Sequence, residues 1–125
     1  MTTQVAVMTT QEIADRLTQL CKEAKWEEAQ DELFSQDAVS IEPPNSPGLH
    51  SVEGLDNIKK KGEMFQTMVE QVHSGWVKGP LIAGSHISLA IGMDVTMKGA
   101  GRMNMEEIAV YDVKDGKIVK EQFFF

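Results

Sequence analysis

The sequence predicts an α+β domain in which three N-terminal helices pack on a strongly curved antiparallel sheet, together making a conical half-barrel. Two observations carry that prediction. Apolar residues recur at helical spacing as far as Val69, and after His73 the apolar period falls to two and stays there to the end of the chain. Helices gathered before strands are the pattern of an α+β domain.

The elements follow in order. Thr9 with Glu12 three residues later forms a capping box, and Ile13, Leu17, Leu20 and Ala24 recur behind it as the first helix. Trp26, Ala29, Leu33 and Phe34 continue the period in a second, shorter helix. Residues 38–42 read as a strand stopped by Pro43 and Pro44, since proline has no N–H for the ladder. Asn45 to Gly54, with Pro47 and Gly48, reads as a loop, and Leu55, Ile58, Phe65, Met68 and Val69 mark a third helix. "WVKGPLIA" suits a strand with a glycine-proline irregularity. In "HISLAIGMDVTMK" the residues Ile87, Leu89, Ile91, Met93, Val95 and Met97 share one face. "GAG" turns the chain, "RMNMEEIAVYDV" alternates again, and "KDG" at 114–116 predicts a three-residue hairpin loop before the last strand, "KIVKEQFFF".

At 125 residues the chain is expected to form a single domain, residues 1–125, with 1–8 a flexible lead. An apolar fraction of 42% and a charged fraction of 25% are those of a soluble globular protein. No apolar run approaches the roughly 20 residues of a membrane span, and the start lacks the basic and apolar regions of a secretory signal. The single Cys21 cannot close an internal disulfide, so a reducing cytoplasm fits best. A net charge of −7 argues against nucleic acid as a partner. The one basic run, Lys59-Lys60-Lys61, reads as a solvated helix face.

Candidate chemistry rests on the carboxylates. Glu42 sits where a strand stops, directly before two prolines. In the strand from Arg102 to Val113 the more apolar face carries Met103, Met105, Glu107, Ala109, Tyr111 and Val113, so Glu107 is expected to point inward. A three-residue loop would pair Val113 with Lys117, Tyr111 with Val119 and Ala109 with Glu121, turning Val119, Glu121, Phe123 and Phe125 inward; a two-residue turn would send Glu121 outward. An acid among Met, Phe and Tyr gains a raised pKa from desolvation and from neighbouring acids, which brings it toward the range useful for acid–base chemistry. The alternative is that Arg102, Lys120 or backbone donors satisfy these acids.

The strings "WEEAQDELFSQDAVSIEP", "GLDNIKK" and "EEIAVYDVKDGKIVKEQFFF" resemble the SnoaL-like branch of the nuclear transport factor 2-like superfamily, with ketosteroid isomerase and limonene epoxide hydrolase as more distant relatives. The likeness runs from Glu12 to Phe125. It implies the fold read above, and this superfamily hosts enzymes and binding modules alike. In ketosteroid isomerase the string Asp-Asp-Ala-x-x-x-Asp-Pro ends in the general base; Asp37-Ala38 followed by Glu42-Pro43 has that spacing, which implies Glu42 in the position of the base. The isomerase's oxyanion-hole tyrosine and protonated aspartate fall near Thr18 and Ala109, so neither group is carried over. The hydrolase's Asp-Arg-Asp arrangement also lacks a counterpart, Arg102 being the only late arginine.

The expected site therefore comprises Glu42, Glu107, Glu121 and Tyr111 as acid–base and hydrogen-bonding groups. Trp26, Phe65, Met93, Met103, Met105, Phe123 and Phe125 are expected to line an apolar cavity for a small hydrophobic molecule. The three histidines lack ligand spacing and the glycines lack a dinucleotide fingerprint, so neither a metal nor another cofactor is expected. The reading is of cofactor-free chemistry on a carbonyl-type compound, with a non-catalytic binding or association domain as the alternative. The outward faces of the last two strands carry Ile108, Val110, Ile118 and Phe124, which predicts a homodimer through that face.

Overall fold

The computed structural model describes residues 7–46 and 48–125. Among these residues the order of elements is α1 (Thr10–Lys22), α2 (Trp26–Leu33), β1 (Phe34–Ile41), β2 (Val52–Glu53), α3 (Leu55–Met68), β3 (Val69–Ala83), β4 (His86–Met97), β5 (Gly101–Lys114) and β6 (Lys117–Phe124). The strands form one open sheet in the order β2-β1-β6-β5-β4-β3. β3 to β6 are an antiparallel meander, and β1 pairs with β6 in parallel. That parallel pair is the one departure from the expected all-antiparallel sheet. It arises because β1 precedes the meander and enters beside its last strand.

Local rules account for the elements. Thr9 caps α1: its hydroxyl accepts from the Glu12 N–H, and the Glu12 carboxylate accepts from the Thr9 N–H. Helix α1 ends at Lys22, two residues before the last residue of its apolar period. Ala24 lies beyond it, exposed and with φ 57°, a left-handed turn that swings the chain into α2. Phe34 opens β1 directly after α2, so the strand begins four residues before its expected start. Val69 likewise belongs to β3, which starts well before His73. Within the expected loop, Val52 and Glu53 pair with β1, while Pro47 lies outside the described residues. Residues 1–6 of the expected flexible lead also lie outside them; Met8 is half-buried against the core.

The core sits between the helices and one face of the sheet. Ile13, Leu17 and Leu20 of α1, Leu33 of α2 and Ile58 of α3 meet Ile87, Leu89, Ala109, Tyr111 and Ile118. Burying a large aliphatic side chain contributes about 1.5–3 kcal/mol, so this stripe is the main source of stability. Surface ion pairs tie the helices together: Arg16 donates twice to Glu32 across α1 and α2, and Lys59 of α3 donates to Asp31 of α2.

The β5–β6 hairpin corrects the expected loop. Lys114 pairs with Lys117, so the turn has two residues, Asp115 and Gly116, with φ of 52° and 74°. Positive φ at both positions is the tight hairpin turn whose twist matches that of the strands, and Asp-Gly is a favoured pair for it. Such a turn alone would point Glu121 outward. A bulge restores the register: Val113 pairs with Ile118 but Asp112 with Lys120, leaving Val119 as an extra residue on β6. Glu121 therefore pairs with Tyr111 and Ala109 with Phe123, not with Glu121 as expected. The two-residue turn itself pairs Ile118 with the inward Val113, which takes Ile118 off the outer surface, where it was expected, into the core at 0% exposure.

Candidate functional site

Three strands and one helix converge on a buried polar group in the inner face of the sheet. In β1, Ala38 and Ser40 alternate inward, and Glu42 follows two residues on, just past the strand. Ser40 pairs with Glu121 in the parallel β1–β6 ladder, and Tyr111 flanks Glu121 on the other side. Glu107 lies four residues before Tyr111 on the same face of β5, opposite Ile91. Helix α3 starts beside β1, where the Gly54 N–H donates to the Ala38 carbonyl, and two turns later it delivers Lys61.

Lys61 organises the group. Its ammonium donates to Glu42 Oε1 at 2.9 Å and to Ser40 Oγ at 2.5 Å, and the Ser40 hydroxyl donates to Glu121 Oε1 at 2.7 Å. The result is a continuous chain, Glu42–Lys61–Ser40–Glu121. The side chains of Lys61 and Glu42 are only 9% and 6% exposed, and a buried ion pair persists only with good geometry and further hydrogen bonds. Lys61 Nζ also stands 5.5 Å from the centre of the Phe123 ring, a cation–π distance. The Glu42 backbone N–H donates to the Ser51 hydroxyl, which fixes the chain where it leaves the strand.

Three carboxylates face this one cation. Burial pushes the Glu107 carboxyl up to about 7; the charges of Glu42 and Glu121 add to the rise and Lys61 opposes it. Glu107 makes no hydrogen bond or ion pair among the described residues, whereas Glu42 and Glu121 both have partners. Burial likewise raises Glu121 to about 7, against the lowering effects of the Ser40 hydroxyl and Lys61. Tyr111 lies well above the ordinary phenol range, through burial first and then the neighbouring Cys21, Glu121 and Glu107. The Cys21 thiol is pushed to about 12, chiefly by burial, which makes it a packing group and not a nucleophile. Two acids that exchange protons near neutrality, beside a fixed cation, can take a proton from a bound molecule and return it.

The family follows from pattern and geometry together. A model of the SnoaL-like domain matches residues 8–125. The chain belongs to the SnoaL-like domain family. A SnoaL-like polyketide cyclase candidate from Mesorhizobium loti, also labelled a carbohydrate phosphatase, is 34% identical, with 94% of this chain and 100% of that chain covered and a TM-score of 0.88. An NTF2-like protein from Burkholderia thailandensis shares the fold at 15% identity, with 94% and 90% covered and a TM-score of 0.80. A ketosteroid isomerase-like protein from Catenulispora acidiphila, crystallised with trimethylamine, does so at 18% identity, with 94% and 87% covered and a TM-score of 0.66. No curated protein sequence matches this SnoaL-like chain.

Within that SnoaL-like frame the structure brings Glu42, Glu107, Glu121, Tyr111 and Phe123 to one face of the sheet, while Trp26, at the start of α2, packs against the core. Phe65, Met93 and Met105 are half-buried. Met103 is exposed near the far end of β5, and Phe125, just past β6, is 59% exposed, so neither is enclosed. Arg102 does not satisfy the acids: it donates twice to Asp94 on the other face. His50 is exposed, His73 bonds Thr96 and His86 pairs with Asp112. Two recesses, of about 140 and 290 Å³, lie toward the outer face between β3, β4 and β5. No helix among the described residues is long and apolar enough to cross a membrane.

Sequence reasoning missed Lys61 and Ser40. Lys61 is no solvated residue, yet its period gave the signal: it follows Ile58 by three and precedes Phe65 by four, on the apolar stripe of α3. Ser40 stands midway between Ala38 and Glu42 at strand spacing, the position of an inward residue.

Proposed function

We propose that this SnoaL-like protein binds a small, largely apolar carbonyl compound on the inner face of its sheet and moves a proton on it without a cofactor. The observation that carries this reading is Glu107: an acid raised to about 7, facing inward, with no partner among the described residues. A half-buried acid with a raised pKa and no partner among the described residues is a candidate for proton transfer. In its ionised form Glu107 takes the α-proton of the carbonyl compound, and the same carboxyl returns it to another atom. Glu121, held by Ser40 and raised to about 7, serves as the second proton store. Glu42 keeps Lys61 in place, and Phe123 with the half-buried Met93, Met105 and Phe65 offers apolar contact.

The test is α-proton exchange. A panel of apolar cyclic ketones and β-diketones incubated in D2O, followed by NMR, is expected to show protein-dependent exchange for at least one member. Glu107→Gln is expected to slow it at least roughly a hundredfold, the ordinary contribution of a positioned base. Exchange no faster than buffer across the panel, or unchanged in Glu107→Gln, contradicts the reading.

A second proposal concerns assembly. We propose a two-fold homodimer through the outer sheet face. Ile108 and Phe124 pair across β5 and β6 and are 44% and 49% exposed, Val110 lies beside them, and Leu81 projects at 74% exposure. The recesses flanking Ile108 and Val110 put hollows beside these projecting side chains, the self-complementary surface that an isologous pair needs.

A further inference from the structure

Enolate chemistry needs a donor aimed at the developing oxygen charge, commonly the largest single contribution to such catalysis. Neither position to which the resemblance assigns such a donor can supply one. The Thr18 hydroxyl is committed to the Ala14 carbonyl within α1 at 2.7 Å, and Ala109 has no polar group. Three other donor side chains border the acids. The Ser40 proton is directed to Glu121, and Tyr111 is only 3% exposed, packed edge-on against Phe34, which closes it off from an incoming molecule. Lys61 remains. An ammonium has three N–H donors, and Glu42 and Ser40 take two of them.

The position of Lys61 suits the role. Phe123 pairs with Ala109, and Glu107 is two residues from Ala109 on the same face, so Glu107 and Phe123 are diagonal neighbours. Lys61 Nζ borders the same ring. Phe123 thus borders both the acid and the cation, and its ring offers a flat apolar surface between strand and helix.

We propose that the third N–H of Lys61 is the oxyanion donor of this site, and that the site selects planar compounds able to carry a delocalised oxygen anion: enolates, phenolates and the enols of β-diketones. The proposal rests on the acid–base reading above. In the step itself, the α-C–H bond breaks and its proton passes to the Glu107 carboxylate. The electron pair forms the C=C bond, the carbonyl π pair moves to oxygen, and that oxygen accepts the Lys61 N–H. Glu42 and Ser40 hold the ammonium in position, so the donor is fixed before charge develops.

The test uses 4-nitrophenol, a planar phenol whose anion absorbs visibly. The wild type is expected to bind it as the phenolate. Glu42→Gln/Lys61→Met, which removes both charges and leaves neither buried alone, is expected to weaken phenolate binding on the order of tenfold to a hundredfold, the effect of losing a charged hydrogen bond. Circular dichroism checks that this variant is folded, and Lys61→Arg, which keeps the charge, is expected to recover part of the affinity. Glu107→Gln is expected to lose α-proton exchange yet still bind the phenolate, which separates failure of the acid–base reading from failure of this one. The proposal is overturned if the wild type does not bind the phenolate, or if the folded double variant binds it as tightly as the wild type.

Discussion

A carboxyl group taken from water into apolar surroundings keeps its proton to higher pH, and the protein's stability must reflect that. Glu121 is raised from an ordinary 4.5 to about 7 in the fold. Between those two values the folded chain holds a proton that the unfolded chain releases, so the contribution of this acid to stability is greatest below about pH 4.5 and falls away as pH rises through 7. The shift corresponds to about 3 kcal/mol for this one acid. Urea titrations at pH 5 and pH 8 are expected to show lower stability at pH 8, and Glu121→Gln is expected to remove a large part of the difference. An unchanged difference in that variant would show that Glu121 is not buried as described. Glu107 was legible because strand alternation within β5 assigns its face, whereas the face of Glu121 depended also on the turn before β6. Lys61 was misread because three consecutive lysines look like one solvated surface, although a helix turns about 100° per residue and sends only two of them to water. What the sequence could not show was pairing: nothing local joins Lys61 to Ser40 and Glu42, some 20 positions away.

At the scale of elements, the β5–β6 hairpin decides the site. A two-residue turn and a one-residue bulge each invert the facing of β6, and together they cancel. The sequence reading reached the right orientation of Glu121 through a three-residue loop, so its conclusion held while its register did not. A bulge has no composition signal of its own, and Val119 reads like any strand residue. Gly116 is the element's sensitive point. Its φ is 74°, and a Cβ there would also meet Val7 and the backbone of Met8. Gly116→Ala is expected to cost about 1–2 kcal/mol in chemical denaturation, chiefly from the left-handed conformation. No loss would mean that the turn is not the tight form described. The helices were simpler to read: the capping box at Thr9 and the stripe of Ile13, Leu17 and Leu20 are local patterns, and the structure keeps both.

For the whole molecule, one face of the sheet is covered by helices and, among the described residues, the other is not. On the uncovered face Trp76 lies flat against Gly92, which has no side chain to hold it off, and Lys78 stands over its ring at 4.9 Å. Ile108, Val110 and Phe124 continue the apolar surface. Sedimentation at micromolar concentration is expected to give twice the chain mass of 13.9 kDa, and Ile108→Lys to give a folded species of chain mass. A wild type sedimenting as single chains would contradict the proposed dimer. The proposed chemistry lies on the inner face and depends on one property of it: the half-buried Glu107, without a hydrogen-bond or ion-pair partner among the described residues, has its carboxyl raised. Carbon-detected NMR titration of the glutamate carboxyls, with Glu107→Gln identifying the resonance, measures that property directly. The account predicts a Glu107 midpoint near 7, and a midpoint near the ordinary glutamate value of about 4 would contradict it.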